Sequence, residues 1–347
     1  MGWDPEKVYG KNPFEGLDLP DEFETAPETV PPIPEIVGLK FEIVDSIHYE
    51  YSKHSDYRAR VFKARANWDN FEGTVVMKLF HCDEPAEDCS LDRSLDLFER
   101  ESNAYARLLH HGICSKGVVP HCHGSYRFPP TWKSDHRFTS DPHSPLASFI
   151  NDIEPPIALV LEYLPGVRPL SPWNITPELA EEIMAALKCI HEAYVLHSDL
   201  YPRNILIKKD GSPCWIDFDA AQIPPDPEVT PVWLHEELAD AWSLLYEELL
   251  PDRARVMRGE KPRHQDCLAP VLPHMLEDND SALASNNSLE VPNLVFDDEG
   301  FVSSNSSQIT DPPSFYQDTG VEDSVSTAGE KSIILENLDS EVLGINM

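Results

Sequence analysis

The spacing of apolar residues changes character twice along the chain. From about residue 39, short runs of β-branched and aromatic residues alternate with polar ones, and KFEIVDSIHYEYS, YRARVFKARANW and GTVVMKLFH read as three strands. LDLFERESNAYARLLHH follows with helical spacing. Two further strands are expected at VVPHCHGSYRF and PIALVLEYL, and the Pro, Ser and Asp content of residues 129–156 between them predicts a long loop. After Leu164-Pro165-Gly166 the period becomes helical. TPELAEEIMAALKCIHEAYVLH starts with Thr176 as N-cap and Pro177 in the first turn, and Leu179, Ile183, Leu187, Ile190 and Tyr194 form its stripe. In HEELADAWSLLYEELL and the residue before it, Leu234, Leu238, Trp242, Leu245 and Leu249 share one side.

These periods predict three segments. Residues 1–37, rich in Pro and acid, read as an extended lead-in without a core of its own. Residues 38–276 form the folded part, strand-rich over 38–163 and helix-rich over 164–276. Residues 277–347 carry a single basic residue, Lys331, and read as a disordered acidic tail. Within it SIILENLDSEVL is amphipathic and could dock on the folded part or on a protein partner. No internal repeat is visible.

Charge narrows the function classes. The 27 basic and 61 acidic residues give a formal net charge of −34, which disfavours nucleic-acid backbones and anionic membrane surfaces as partners. A bound nucleotide would have to be met by local Lys, helix N-termini or metal ions. The seven cysteines are scattered without a C-x-x-C pair and read as reduced thiols. No secretory signal, myristoylation pattern or run of eighteen apolar residues is present, so the expectation is a cytoplasmic or nuclear protein. HHGICSKGVVPHCHG gathers four histidines and two cysteines, and strand alternation would place His121 and His123 on one side and Cys122 on the other.

Candidate chemistry lies in VLHSDLYPRNILI, residues 195–207, where His197, Asp199 and Asn204 sit in a short loop between two apolar runs. Buried without partners, such groups cost several kcal/mol each, roughly, so something should be held there. Asp217, in CWIDFDAAQ, again follows an apolar strand, and Gly211 supplies the turn between the two. The hairpin would bring three oxygen-bearing side chains to one end. Asn204 and Asp217 suit Mg²⁺, a hard cation that takes oxygen ligands, and Asp199 remains as a candidate base. Lys78 lies inside the apolar strand TVVMKLF and needs a partner. Glu101 interrupts the helical face made by Leu97, Ala104 and Leu108, and is the candidate; Glu99, on the opposite face, competes.

These residues resemble the protein kinase-like superfamily. His197-Ser198-Asp199-Leu200-Tyr201-Pro202-Arg203-Asn204 is similar to its catalytic loop, and Asp217-Phe218-Asp219 to its D-F-G element. The HSDLYPRN form with D-F-D looks closer to aminoglycoside and other small-molecule phosphotransferases, and to kinase-like proteins of fungi, than to regulated protein kinases. The resemblance implies an α+β, two-lobed fold: an antiparallel sheet with an αC helix in the N-lobe, and a mainly helical C-lobe. It implies ATP as cofactor, with Lys78, set by Glu101, on the α- and β-phosphates. Leu161 would lie behind the adenine, and the backbone of Glu162 and Leu164 at its edge. Asp240, in a D-x-W-S pattern, would tie down the catalytic-loop backbone. The chain departs from the family in lacking a G-x-G-x-x-G between the first two strands, where Lys53 and Ser55 could substitute. It also has Ser198 for an Arg, and only 23 positions from Asp217 to Asp240 with no A-P-E. Two functions follow: an ATP- and Mg²⁺-dependent phosphotransferase acting on a hydroxyl acceptor, or a kinase-like pseudoenzyme that binds nucleotide or partners as a scaffold.

Overall fold

In the computed structural model, residues 8–47, 59–69, 71–82, 97–141 and 143–264 are described. Strands β1 (Lys40–Ser46), β2 (Ala59–Trp68), β3 (Phe71–Phe80), β4 (Cys122–Arg127) and β5 (Ile157–Glu162) form a five-stranded sheet in the order β1-β2-β3-β5-β4. Every neighbouring pair is antiparallel. Period two makes the sheet two-faced. Phe62, Ala64, Val75, Met77, Leu79, Ala158 and Val160 are buried on one face. Phe80, Leu159 and Leu161 are buried on the other, against Ala104, Tyr105 and Leu108 of helix α1 (Leu97–His110). Lys78 stands opposite Leu159 in the β3–β5 ladder, and so shares this second face.

Residues 129–156 do more than the expected loop. They are irregular apart from two 3₁₀ turns, Trp132–Ser134 and Ala147–Phe149, yet Trp132, Phe138, Leu146 and Phe149 fill the core against the first sheet face. The Arg137 guanidinium lies 3.9 Å from the Phe41 ring centroid and donates to the Phe41 carbonyl at 2.9 Å. The His81 ring stacks on Phe149 at 4.0 Å and pairs with Asp152 at 2.7 Å. A sheet buried on one face only would leave a wide apolar surface in water, and this segment covers it.

The described part of the N-terminal segment, residues 8–37, has no regular strand or long helix and is docked on the rest of the chain. Asn12 Nδ2 donates to the Ala239 carbonyl at 3.0 Å, and Phe14 meets the His235 ring at 5.3 Å. Phe23 meets Tyr194 at 4.9 Å, and Ile33 and Ile36 are buried. At the far end Ser125 donates to the Pro34 carbonyl at 2.9 Å, while Ile36 donates to Ser125 at 2.7 Å. Gly124 makes this approach possible. A Cβ there would lie 2.2 Å from the Pro34 oxygen, and φ is +135°.

The second half is mixed rather than mainly helical. A small sheet of β6 (Arg168–Pro169), β7 (Ile205–Ile207) and β8 (Pro213–Trp215) accompanies helices α2 (Pro177–His191), α3 (Pro231–Trp242) and α4 (Leu250–Val256). Thr176 caps α2 as its sequence indicates, accepting from Leu179 N–H at 3.2 Å. The helix stops at His191, short of the expected end. Tyr194 turns left-handed (φ +55°), and Leu196 is bridged to Gln222 instead. Thr230 caps α3, and Ser243–Leu249 continues it as a π-helix. Pro251 has no N–H to give and its ring crowds the carbonyl four residues back, so the winding there widens. Altogether the described residues are α+β, with an antiparallel sheet of five strands, the small sheet and few helices. Lys53, Ser55, the boundary at 276 and the acidic tail with SIILENLDSEVL lie outside the described residues.

If residues 129–156 are true core, Leu146→Ala should cost about 2–5 kcal/mol, the range for deleting a fully buried leucine, although no regular element holds it. A urea melt checks this. A loss under about 0.5 kcal/mol would mean that the segment is only a surface loop.

Candidate active site

An ammonium group placed on an apolar strand must be paired where it stands. Lys78 is 6% exposed, and its Nζ lies 2.7 Å from Glu101 Oε2, 2.6 Å from Asp217 Oδ1 and 3.4 Å from Asp219 Oδ2. Glu101 is buried on α1 and Glu99 is exposed, so the helix presents Glu101 to the lysine. Three carboxylates thus face one cation. Burial opposes the charge on Lys78, but Asp217, Glu101 and Asp219 together hold its pKa well above the ordinary lysine value. The same crowding acts on the acids. Burial, helped by Asp217 and Asp219 and opposed by Lys78, pushes Glu101 up to about 7. Asp219 is raised by burial and by Asp217, against the pull of Lys78. Desolvation would raise Asp217 too, yet the charge and hydrogen bond of Lys78, with His197 and Arg203, hold it below the usual aspartate range.

The 197–204 loop reaches this cluster from the small sheet. Asn204, at the start of β7, donates through Nδ2 to Asp199 Oδ2 at 2.6 Å and to the Asp199 carbonyl at 3.0 Å. Arg203 adds a longer contact to Asp199 Oδ2 at 3.3 Å, its guanidinium stacked on Tyr201 at 4.0 Å. Asp199 is therefore held by one oxygen. Ile216 N–H donates to the Asn204 carbonyl at 2.9 Å, which places Asp217 beside the loop. Ser198 and Asp217 both have left-handed backbones, φ +63° and +69°. For non-glycine residues this costs of order 1–3 kcal/mol each and persists only where the surroundings impose it. Two such residues at one place single out this loop as the candidate site.

Glu237 imposes the first of them. Its carboxylate accepts from Ser198 N–H at 2.6 Å, from His197 N–H at 3.1 Å and from His191 Nε2 at 2.6 Å. Burial would raise its pKa, but His191, the His197 charge and these hydrogen bonds hold it below the usual glutamate value. Asp240, expected in this role, is exposed, one turn further along α3 at the edge of the buried stripe. The signal for Glu237 was present in the sequence: with Leu234, Leu238 and Ala241 it falls on the buried stripe of α3, the same interruption that singled out Glu101. Arg203 and Asp219 were not picked out as site residues; the second acid of D-F-D was the only sequence sign of Asp219.

Rings join the loop to α1. Buried His197 donates through Nε2 to the Ile216 carbonyl at 3.0 Å, since a carbonyl only accepts, and so Nε2 carries the proton. Its ring lies 5.2 Å from Trp215 and 4.7 Å from Phe218, and Phe218 meets Tyr105 of α1 at 5.4 Å. Phe218 is wholly buried, which leaves Asp217 and Asp219 on the side of Lys78.

Leu161 is buried at the end of β5, and Glu162 is exposed. Glu162 N–H donates to the His121 carbonyl at 2.8 Å, while its side chain accepts from His121 N–H at 3.1 Å. The Leu164 side chain packs on Val167, Leu206 and Cys214. Leu161 stands opposite Val76, two residues before Lys78, so these positions border the same sheet face. His121 and His123 lie side by side at 5.1 Å while Cys122 is buried in the core, as alternation indicates.

The donor set fits a hard divalent cation. Asp217 is 36% exposed on the open side, and its Oδ2 and Asn204 Oδ1 have no hydrogen-bond partner among the described residues. The excess of carboxylate over ammonium calls for positive charge. Among the described residues no three His, Cys, Asp or Glu side chains form a closed metal cage. Two protein oxygens completed by a substrate's phosphates are the usual arrangement for Mg²⁺. No protein-family model matches the chain, and no curated protein matches it.

Glu237→Gln should lower stability by about 2–3 kcal/mol, because an amide cannot satisfy all three donors, whereas Asp240→Asn should change it by less than about 0.5 kcal/mol. Chemical denaturation of the two variants checks this, and equal effects would return the role to Asp240. A second expectation concerns pH. Glu101 holds its proton up to about 7 in the folded protein, against an ordinary value of 4.5. Between those values the folded state binds more protons than the unfolded one, so this group's contribution to stability is lost as pH rises through the window. Glu101→Gln should flatten that downward slope in melts run from pH 4.5 to 7.5.

Proposed function

We propose that the chain is an ATP- and Mg²⁺-dependent phosphotransferase of the protein kinase-like type, moving the γ-phosphoryl group of ATP to a hydroxyl acceptor. The observation that carries this reading is the convergence of Lys78, Glu101, Asp199, Asn204 and Asp217 from β3, α1, the 197–204 loop and the end of β8. Two lobes would be the sheet with α1 and the segment from Leu164 onward. Lys78, steadied by Glu101, would meet the phosphates once Asp217 is drawn to the metal. Asp199 would orient the acceptor hydroxyl with the oxygen that Asn204 leaves free. The acceptor oxygen bonds to phosphorus as the bond to the ADP oxygen breaks, and its proton passes to Asp199. Mg²⁺, held by Asn204 and Asp217, would neutralise charge on the phosphates. Leu161 would back the adenine, with the Glu162 and Leu164 backbone at its edge. A cytoplasmic or nuclear place fits this reading; among the described residues no helix is long and apolar enough to cross a membrane.

One observation favours a second reading, the kinase-like scaffold. Lys78 touches Asp217 directly at 2.6 Å, so the phosphate position is closed by an internal ion pair. In a scaffold that ion pair would be the permanent state.

Asp199→Asn and Asp217→Asn separate the two. For a phosphotransferase, Asp199→Asn should lower turnover by about 10²-fold or more with Mg²⁺·ATP affinity little changed. Asp217→Asn should weaken the metal-dependent part of nucleotide binding as well. Isothermal titration with and without Mg²⁺, beside an acceptor screen for ADP release, measures both. No binding of Mg²⁺·ATP at millimolar concentration would leave the scaffold.

A further inference from the structure

We propose that Arg107 is a positioning residue for the Lys78–Glu101 pair, fastening α1 at once to the chain entering the 197–204 loop and to the N-terminal segment. Arg107 lies six positions after Glu101 on α1 and is 1% exposed. Its Nε donates to the Ala193 carbonyl at 2.6 Å and its Nη1 to the Glu28 carbonyl at 3.0 Å. Nη2 is 3.4 Å from His111 Nε2, and the guanidinium lies over the Tyr194 ring at 5.4 Å. Both strong partners are backbone carbonyls, so the guanidinium registers where two pieces of chain lie.

Each carbonyl is available for a structural reason. Helix α2 ends at His191, the turn after it closes on the Ile190 and His191 carbonyls, and the left-handed Tyr194 leaves the Ala193 carbonyl facing α1. The Glu28 carbonyl is brought there by the docked segment, where Phe23 packs on Tyr194 at 4.9 Å. The Glu28 carboxylate approaches His111 at 3.4 Å. Burial, against the pull of Glu28, holds the His111 pKa below its usual value, so a neutral ring can accept from Arg107. A lysine would keep the charge but has no planar fork to span the two carbonyls.

The consequence reaches Lys78 through one rigid helix. If residues 23–28 leave, the guanidinium loses the Glu28 carbonyl and its cover from water, and α1, fastened there by the Ala193 carbonyl alone, is free to shift. The Glu101 carboxylate moves with α1, and Lys78 loses the partner opposite Asp217. The N-terminal segment therefore belongs to the framework of the site. This inference concerns the ion pair and does not rest on phosphoryl transfer.

The test reads the reactivity of the Lys78 amine directly, in the full-length chain without nucleotide. Acetic anhydride labelling followed by peptide mass spectrometry gives the rate at Lys78, which pairing and burial suppress. Arg107→Lys should raise that rate about tenfold, the effect of a local opening made easier by roughly 1.4 kcal/mol. Phe23→Ala, which removes only the ring on Tyr194, should raise it about threefold by the same route. Leu146→Ala, in the core on the other sheet face, serves as the control for general loss of stability and should not raise it to that extent. Labelling of Arg107→Lys no faster than this control overturns the proposal. If Arg107→Lys fails to fold, Phe23→Ala decides alone, and an unchanged rate overturns it. Absence of ATP binding by the unmodified protein would sink the phosphotransferase reading and leave this result standing.

Discussion

The Lys78 ammonium, carried on an apolar strand, is the constraint around which the described part of the chain is arranged. Removing such a charge from water costs several kcal/mol, roughly, unless its partners come to it. They come from two directions. Glu101 arrives on α1, which must then pack its Ala104, Tyr105 and Leu108 face against the sheet. Asp217 and Asp219 arrive from the end of β8, which ties the small sheet to the same place. A single cation cannot neutralise three carboxylates, and burial first, with the neighbouring carboxylates adding to it, raises the pKa values of Glu101 and Asp219 against the pull of Lys78. A proton on one carboxylate, or a further cation, relieves that crowding.

Rigidity around the cluster comes from hydrogen bonds that force an unusual backbone. Glu237 grips the His197 and Ser198 amides, and left-handed Ser198 turns Asp199 toward Asn204. His197 in turn holds the Ile216 carbonyl, and the rings of Trp215, Phe218 and Tyr105 close the space between loop and helix. The open side is left to one oxygen each of Asp199, Asp217 and Asn204. Oxygens held in place and left without a hydrogen bond need little rearrangement to meet a further donor or cation.

The strongly acidic composition does not prevent this, because acids are used structurally. Asp152 holds His81, Asp252 accepts from the Arg263 and His264 amides, and Glu237 binds three donors. The docked N-terminal segment is an instance of the same economy. Its prolines and acids keep it extended, and a few side chains, Asn12, Phe14, Phe23 and Ile33, anchor it.

Local pattern by itself determined the strands of the sheet, helix α1, the Thr176 cap, and the residues at the site whose charge interrupts an apolar run. Lys78, Glu101, Asn204 and Asp217 were legible because a charged or amide group in such a run must have a partner, whatever the fold. Tertiary structure alone decided what covers each apolar face and which donor meets which acceptor. Residues 129–156 have a loop's composition, and only the bare face of the sheet makes Leu146 and Phe149 core residues. Residues 8–37 have a disordered chain's composition, and only the Ser125 edge and the Ala239 carbonyl give them a place. Asp240 matched a pattern, but rotation along α3 set Glu237 against the loop. Period tells which side of an element is buried; it carries nothing about the distant backbone groups that the buried side will meet, and those settle the rest.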